Sequence, residues 1–221
     1  MKTKNSLNPD VVVATALRIV DEQGLDALTV RRVADEFGVT PMALYWHFSN
    51  KEALLDAVGD AVVAGLALPD PALDLEAYLG EAMTSLVDVL RSHPHATPLV
   101  PARLLLTEAG RELTECTLDK LVGAGFPIDK ASAVAHYALM IALTLVVGEP
   151  GAETSVKPDE RDEAHEAKLA LLLSLSDDRY PRLRAAAPSM VVCGDSDDYY
   201  ETAIEIFVKG VMTQVSPDSA G

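Results

Sequence analysis

Aromatic side chains are scarce in this 221-residue chain, at 5% of the total with a single tryptophan. A β-sandwich draws on aromatic and β-branched residues in alternation. Their scarcity beside 49% hydrophobic residues argues instead for helices packed through Ala, Leu and Val. Cysteine is scarcer still. Cys116 and Cys193 stand far apart without C-x-x-C or Cys/His spacing, which speaks against a zinc site or redox pair and leaves two buried, reduced thiols as the expectation. Positive charge is also in deficit: 18 Lys and Arg face 34 Asp and Glu, a net −16. No basic segment followed by an apolar one opens the chain, so no signal peptide is expected and the protein is placed in the cytoplasm. The apolar run within residues 131–147 falls short of the roughly 18–20 residues that cross a bilayer, so no membrane span is expected. Nucleophile elbow, phosphate loop, dinucleotide fingerprint and paired catalytic carboxylates are all missing, as are repeats and low-complexity tracts. Neither an enzyme nor a cofactor is expected.

What is present centres on Leu28 to Lys51, LTVRRVADEFGVTPMALYWHFSNK. Val30, Val33, Ala34 and Phe37 recur at helical spacing behind Thr29, a side chain that can cap a helix start. Gly38 follows at once, where a sharp helix exit needs the left-handed backbone that a Cβ resists. Thr40 and Pro41 then restart a helix as N-cap and first residue, with Leu44 as its core plug. Two short helices joined by a tight turn make a helix-turn-helix. The second presents its N-terminal half to base edges in a major groove.

The candidate DNA contacts are Thr29, Arg31, Arg32, Thr40, Pro41, Met42, Ala43, Tyr45, Trp46, His47 and Lys51. Arg31, Arg32, His47 and Lys51 can meet phosphate oxygens or a guanine edge. Trp46 and Phe48 also read as a packed aromatic cluster, whereas Tyr45 reads equally as core and as a phosphate donor. Residues 1–65 hold six Lys or Arg against nine Asp or Glu, a balance of −3, so most of the acidity lies behind the motif. An acidic body behind a locally basic tip disfavours nonspecific sliding, because the body repels phosphate.

The stretch LTVRRVADEFGVTPMALYWHFSNKEALLDAV resembles the DNA-binding domain of the TetR family of bacterial transcriptional regulators, and the run Leu44-Tyr45-Trp46-His47 with Asn50-Lys51 is similar to its tetracycline-repressor branch. The resemblance covers roughly the first quarter of the chain. It implies a homodimer on double-stranded operator DNA, answering to a small-molecule effector. In the tetracycline-repressor branch that effector is a drug–magnesium chelate, held by a histidine shortly after a Ser-His pair at the end of the fifth helix. Counted without gaps from Ser92-His93, the histidine position falls on Val100 and the nearby threonine on Arg103. The ligating histidine is missing, so no metal is expected.

Elsewhere the chain reads as helices. Asn8 and Pro9 open the first, with Val13, Ala16, Leu17 and Val20 inward, and Gly24 closes it. Lys2 and Lys4 sit in a polar leader that reads as a solvated tail or as a groove contact. Asn50 caps a fourth helix facing inward through Leu54, Val58 and Val62, a lever between tip and body. The prolines of Leu68–Asp74 mark a boundary between a helix-turn-helix domain, 1–67, and a ligand-binding and dimerisation domain, 68–221. A fifth helix follows from Leu75. Pro94, Pro98 and Pro101 break the next stretch, and Thr107 caps another helix. The segment 130–147 is apolar all round and the final helix, about 196–214, carries more apolar surface than one face can bury. Both ask for a partner, so a homodimer is expected through them. Residues 151–166 read as an acidic loop before a short helix ending at Leu173.

The all-α fold therefore comprises a three-helix head and a larger helical body. The candidate effector pocket lies among the fifth, seventh and eighth helices, with Met83, Leu86, Leu90, Leu113, Thr117, Tyr137, Met140 and Thr144 as walls and Arg103 and His136 as polar accents. His93 and His95 read as ordinary turn polar groups, and Glu149 alone makes no metal site. The expected function is a ligand-responsive transcriptional repressor released from a near-palindromic operator by its effector. The competing reading is a small-molecule-binding helical protein or enzyme whose helix-turn-helix is unused.

Overall fold

The structure, a computed structural model, describes residues 8–152 and 158–215. These residues form helices and turns without a strand. The head contains α1 (Pro9–Gln23), α2 (Val30–Phe37), α3 (Pro41–Tyr45) and the connecting helix α4 (Lys51–Val63). The body follows with α5 (Leu75–Ser92), α6 (Val100–Arg103), α7 (Glu108–Gly123), α8 (Ile128–Val147), α9 (Pro158–Leu173), α10 (Pro181–Val191) and α11 (Ser196–Met212).

Local chemistry sets most of these ends. Asn8 Oδ1 accepts from Asp10 N at 2.9 Å and Pro9 fills the first turn of α1. Thr29 Oγ1 accepts from Arg32 N at 3.0 Å, Asn50 Oδ1 from Ala53 N at 2.7 Å and Asp74 Oδ1 from Ala77 N at 2.9 Å. Each satisfies one of the N–H groups that a helix start leaves unbonded. Gly38 ends α2 in the left-handed region at φ 61°, as a tight turn requires. Thr40 departs from expectation: its extended backbone begins α3, but its hydroxyl makes no capping bond.

One apolar cluster runs without interruption from head to body. It joins Val12, Ile19, Val33 and Leu44 to Val58 and Val62 of α4, then to Leu86, Leu90 and Ala142 in α5 and α8. A second cluster at the far end packs Leu79 and Leu121 with Ala131, Val134, Val208 and Val211. In α1 the buried stripe is Val12, Ala16, Ile19 and Val20, so Val13 and Leu17 sit at its edge rather than its centre.

Polar clasps fasten head to body beside this core. His93 Nδ1 lies 2.9 Å from Asp21 Oδ2 and His95 Nδ1 lies 2.9 Å from the Asp21 carbonyl, fixing the end of α1 to the turn after α5. Arg103 grips α4 with two bonds to Asp60, Nε–Oδ1 at 2.7 Å and Nη2–Oδ2 at 2.8 Å. Its Nη1 is 3.4 Å from Asp56. Gly59 permits this approach: a Cβ there would stand 2.8 Å from Arg103 Cγ and 3.1 Å from Leu99 Cβ.

Three expectations change in the body. Residues 158–166 are the first half of α9 rather than loop, while 153–157 lie outside the described residues. Helix α10 was not anticipated, because Pro188 within it argues against a helix by local rule. Helix α8 is 20 residues long, enough in length and composition to cross a bilayer. Its inner side is packed against α5 and α7 through Ala138, Leu139, Ala142 and Leu143, and its outer side is open.

Candidate functional site

The tip of the head turns large side chains outward. Trp46 is 85% exposed and Met42 68%, with Tyr45 and His47 exposed beside them. Only Leu44, the core plug, and Phe48, 7% exposed, are drawn inward. The aromatic cluster expected of Trp46 and Phe48 is thus divided: Phe48 is core, whereas Trp46 stands in solvent. Exposing an indole of this size forgoes the burial that would otherwise stabilise the fold, and this marks a contact surface.

The cations divide as well. Arg32 pairs with Glu36 at 2.8 Å one turn along α2, and Glu36 is also held by Arg18 at 3.0 Å. Arg31, His47 and Lys51 are exposed and make no ion pair among the described residues. The charges of Arg31 and Lys51, and the His47 imidazole as a hydrogen-bonding group, are available to phosphate without first breaking an internal bond. Thr29 has its oxygen engaged as the α2 cap and keeps its hydroxyl proton for donation. Thr40 is exposed, while Pro41 and Ala43 are half-buried along the start of α3.

The body holds a small, partly open cavity of about 30 Å³ between α5, α7 and α8, bordered by Leu104 of the turn Leu104–Leu106. Met83, Leu86, Leu113 and Thr117 line it as expected. Leu79, Ala82, Thr114, Ala135, Ala138 and Leu139 complete the wall and were missed. The α5 members continue the helical spacing already visible at 83 and 86. The α8 members were hidden because a helix apolar on every side gives no sign of which side turns inward.

Six expected pocket residues lie elsewhere. Tyr137, Met140 and Thr144 line an open groove of about 290 Å³ with Ile141 and Leu145 on the outside of α8. His136 is exposed beside Tyr137, their ring centroids 6.3 Å apart. Leu90 is fully buried in the main core without touching the cavity. Arg103 reaches away to Asp60, because a guanidinium finds a carboxylate pair there and no carboxylate in the cavity.

Other polar groups are structurally engaged. Glu149 accepts from Tyr200 Oη at 2.9 Å and from the Ser196 hydroxyl, tying the end of α8 to α11. Burial, with this carboxylate next in importance, pushes the Tyr200 phenol above its ordinary range. Arg91 stacks 4.5 Å from the centre of the Tyr200 ring and pairs with Asp197 at 2.8 Å. Among the described residues no three His, Cys, Asp or Glu side chains gather as metal ligands would. Cys116 and Cys193 are free and half-buried, not fully buried as expected.

A helix-turn-helix head with large side chains exposed at its tip, fastened to a helical body that encloses a small cavity, is the architecture of a DNA-binding transcriptional regulator. The chain matches the family described as "Bacterial regulatory proteins, tetR family" over residues 12–58 and "Tetracyclin repressor-like, C-terminal domain" over residues 68–215. It belongs to the TetR family and is a bacterial regulator of transcription. The tetracycline repressor protein class A from transposon 1721 of Escherichia coli is 30% identical over 215 residues, 93% of this chain and 90% of that one. The structure of the Streptomyces coelicolor TetR family protein ActR in complex with actinorhodin is 26% identical with a TM-score of 0.75, covering 95% of this chain and 99% of ActR. BioQ with its double-stranded DNA operator is 26% identical with a TM-score of 0.60, covering 94% of this chain and 99% of BioQ.

Proposed function

We propose that the protein acts in the cytoplasm as a homodimeric repressor of a near-palindromic operator, released by an effector that enters the cavity between α5, α7 and α8. The observation that carries this reading is the exposed, unpaired set at the tip: Arg31, Met42, Tyr45, Trp46, His47 and Lys51 on one end of an otherwise acidic chain. The likeness to BioQ with its operator supports the DNA partner, and the likeness to ActR with actinorhodin supports a small-molecule effector. The outer groove of α8 and exposed Ile206 of α11 supply apolar surface for a second copy. Paired tips then enter successive major grooves one helical turn apart.

Coupling follows from what the connector touches. Residues 97–106 roof the cavity through Leu104 and hold α4 through Arg103 and Leu99. Gly110 keeps this roof tight: a Cβ there would stand 1.9 Å from the Leu104 carbonyl oxygen. An effector that lifts Leu104 therefore pulls on the Arg103–Asp60 clasp and turns α4, which carries the tip. The effector must favour the turned arrangement by about 1–3 kcal/mol to give useful release.

The test is an anisotropy titration against DNA flanking the protein's own gene, at two salt concentrations and with nonspecific competitor, followed by random-site selection. Tight, competitor-resistant, salt-weakened binding is expected. Failure of both the flanking DNA and the selected sites to bind would overturn the reading.

A further inference from the structure

The cavity has a one-sided hydrogen-bonding chemistry. Leu79, Met83 and Leu86 of α5, Leu113 of α7, Leu139 of α8 and Leu104 of the roof face it with hydrocarbon. Neither a charged side chain nor an aromatic ring is among its described walls. Its polar side chains are Thr114 and Thr117, one helical turn apart on α7. Both have already committed their protons. Thr114 Oγ1 donates to the Gly110 carbonyl at 2.7 Å and Thr117 Oγ1 to the Leu113 carbonyl at 2.7 Å. Thr114 retains its acceptor capacity for a guest, and Thr117 shares its own with the buried Tyr78 hydroxyl, which lies beside it at the Leu113 carbonyl.

We propose that the effector is an uncharged, largely aliphatic molecule whose hydroxyl or N–H donates to Thr114 and Thr117. This rests on the reading above that the cavity is the effector site. A carboxylate or ammonium would lose its water there and find no counter-charge. An ether or carbonyl oxygen would meet lone pairs, and could be satisfied only by displacing a threonine proton from its backbone partner. A planar aromatic ligand gains no ring to stack against.

The size of the cavity gives the mode of admission. At about 30 Å³ the cavity is far smaller than the roughly 300–1,000 Å³ of a pocket that encloses a drug-sized ligand, so such a guest must part the walls. Leu104 is the wall that can yield, because its neighbours Leu105 and Leu106 are already exposed. Met83, unbranched and adaptable, can refit around the guest. The effector's bulk thus acts on the roof while its donor fixes it to α7.

The experiment measures dissociation constants on the full-length protein by calorimetry, using 1-octanol, its isomer heptyl methyl ether, and octanoate at pH 8. Octanol is expected to bind about tenfold more tightly than the ether, the worth of one well-placed hydrogen bond. Octanoate is expected to bind at least about tenfold more weakly than octanol. The paired substitution Thr114→Val and Thr117→Val keeps the shape, removes the acceptors and should equalise octanol and ether. Ala138→Phe should fill the cavity and abolish binding, with Ala135→Leu as a milder filler if the first fails to fold. Ether binding as well as octanol, or octanoate binding better, while the fillers still block, would overturn the chemistry and leave the site standing. Octanol binding that survives both fillers would place the guest elsewhere and remove the site reading as well. No binding by any of the three would also overturn the proposal.

Discussion

The head and the body handle large side chains in opposite ways. At the tip, Trp46 and Met42 are held in water, whereas around the cavity Met83, Leu86 and Leu113 are hidden from it. Polar chemistry is reversed in the same sense. The tip offers cations without internal partners, and the cavity offers two hydroxyls whose protons are already engaged. A surface that reads DNA must be finished before its partner arrives, because phosphate and base edges demand fixed geometry. A site that transmits a signal has to be unfinished, since only a guest that moves the walls can move anything else.

The sharpest way to break this contrast uses two aromatics separated by one residue. Phe48→Ala should cost about 3–5 kcal/mol in denaturant unfolding, as expected for a buried aromatic removed from a core. Trp46→Ala should leave stability within about 0.5 kcal/mol yet weaken operator binding. Equal effects of the two on stability would mean that the exposed indole is not exposed in solution. Leu113→Ala in the cavity wall should cost about 2–5 kcal/mol, at the lower end if the connector collapses into the space.

Gly110→Ala tests the roof. Its added methyl meets backbone rather than a flexible side chain, so a loss of about 1–3 kcal/mol is expected, together with operator release that no longer depends on effector. Tight, normally inducible repression by this variant would remove the connector from the coupling. Arg31→Ala should weaken operator binding by about 1–3 kcal/mol with little change in stability. Arg32→Ala belongs at the small end, below about 1 kcal/mol in either measurement, because its charge is shared with Glu36 on the surface. Reversal of the Arg31 and Arg32 order would show that the internal pair opens on DNA.

The same contrast explains what could be read from the chain alone. The head was legible because its rules are local: Thr29 as a cap, Gly38 at a left-handed turn, Pro41 at a helix start and Leu44 as a plug each declare themselves within a few residues. Helix order in the body was legible as far as α8 from breaks and caps around Asp74, Pro94, Thr107 and Gly148, whereas the start of α9 and all of α10 were not. The cavity was only half legible. Around α8 every face is apolar, so Tyr137, Met140 and Thr144 were as plausible inward as Ala135, Ala138 and Leu139. Only the tertiary packing of α5 and α7 chooses between them. Arg103 shows the same limit, since nothing near it in sequence announces Asp60, 43 residues earlier, as its partner.

Trp46 has one more consequence. It is the only tryptophan in the chain, and it stands at the tip rather than in the core. Ultraviolet excitation at the long-wavelength edge of protein absorption therefore addresses a single, solvated indole. The wild-type molecule carries its own optical reporter of docking, free of background from the body and needing no attached dye.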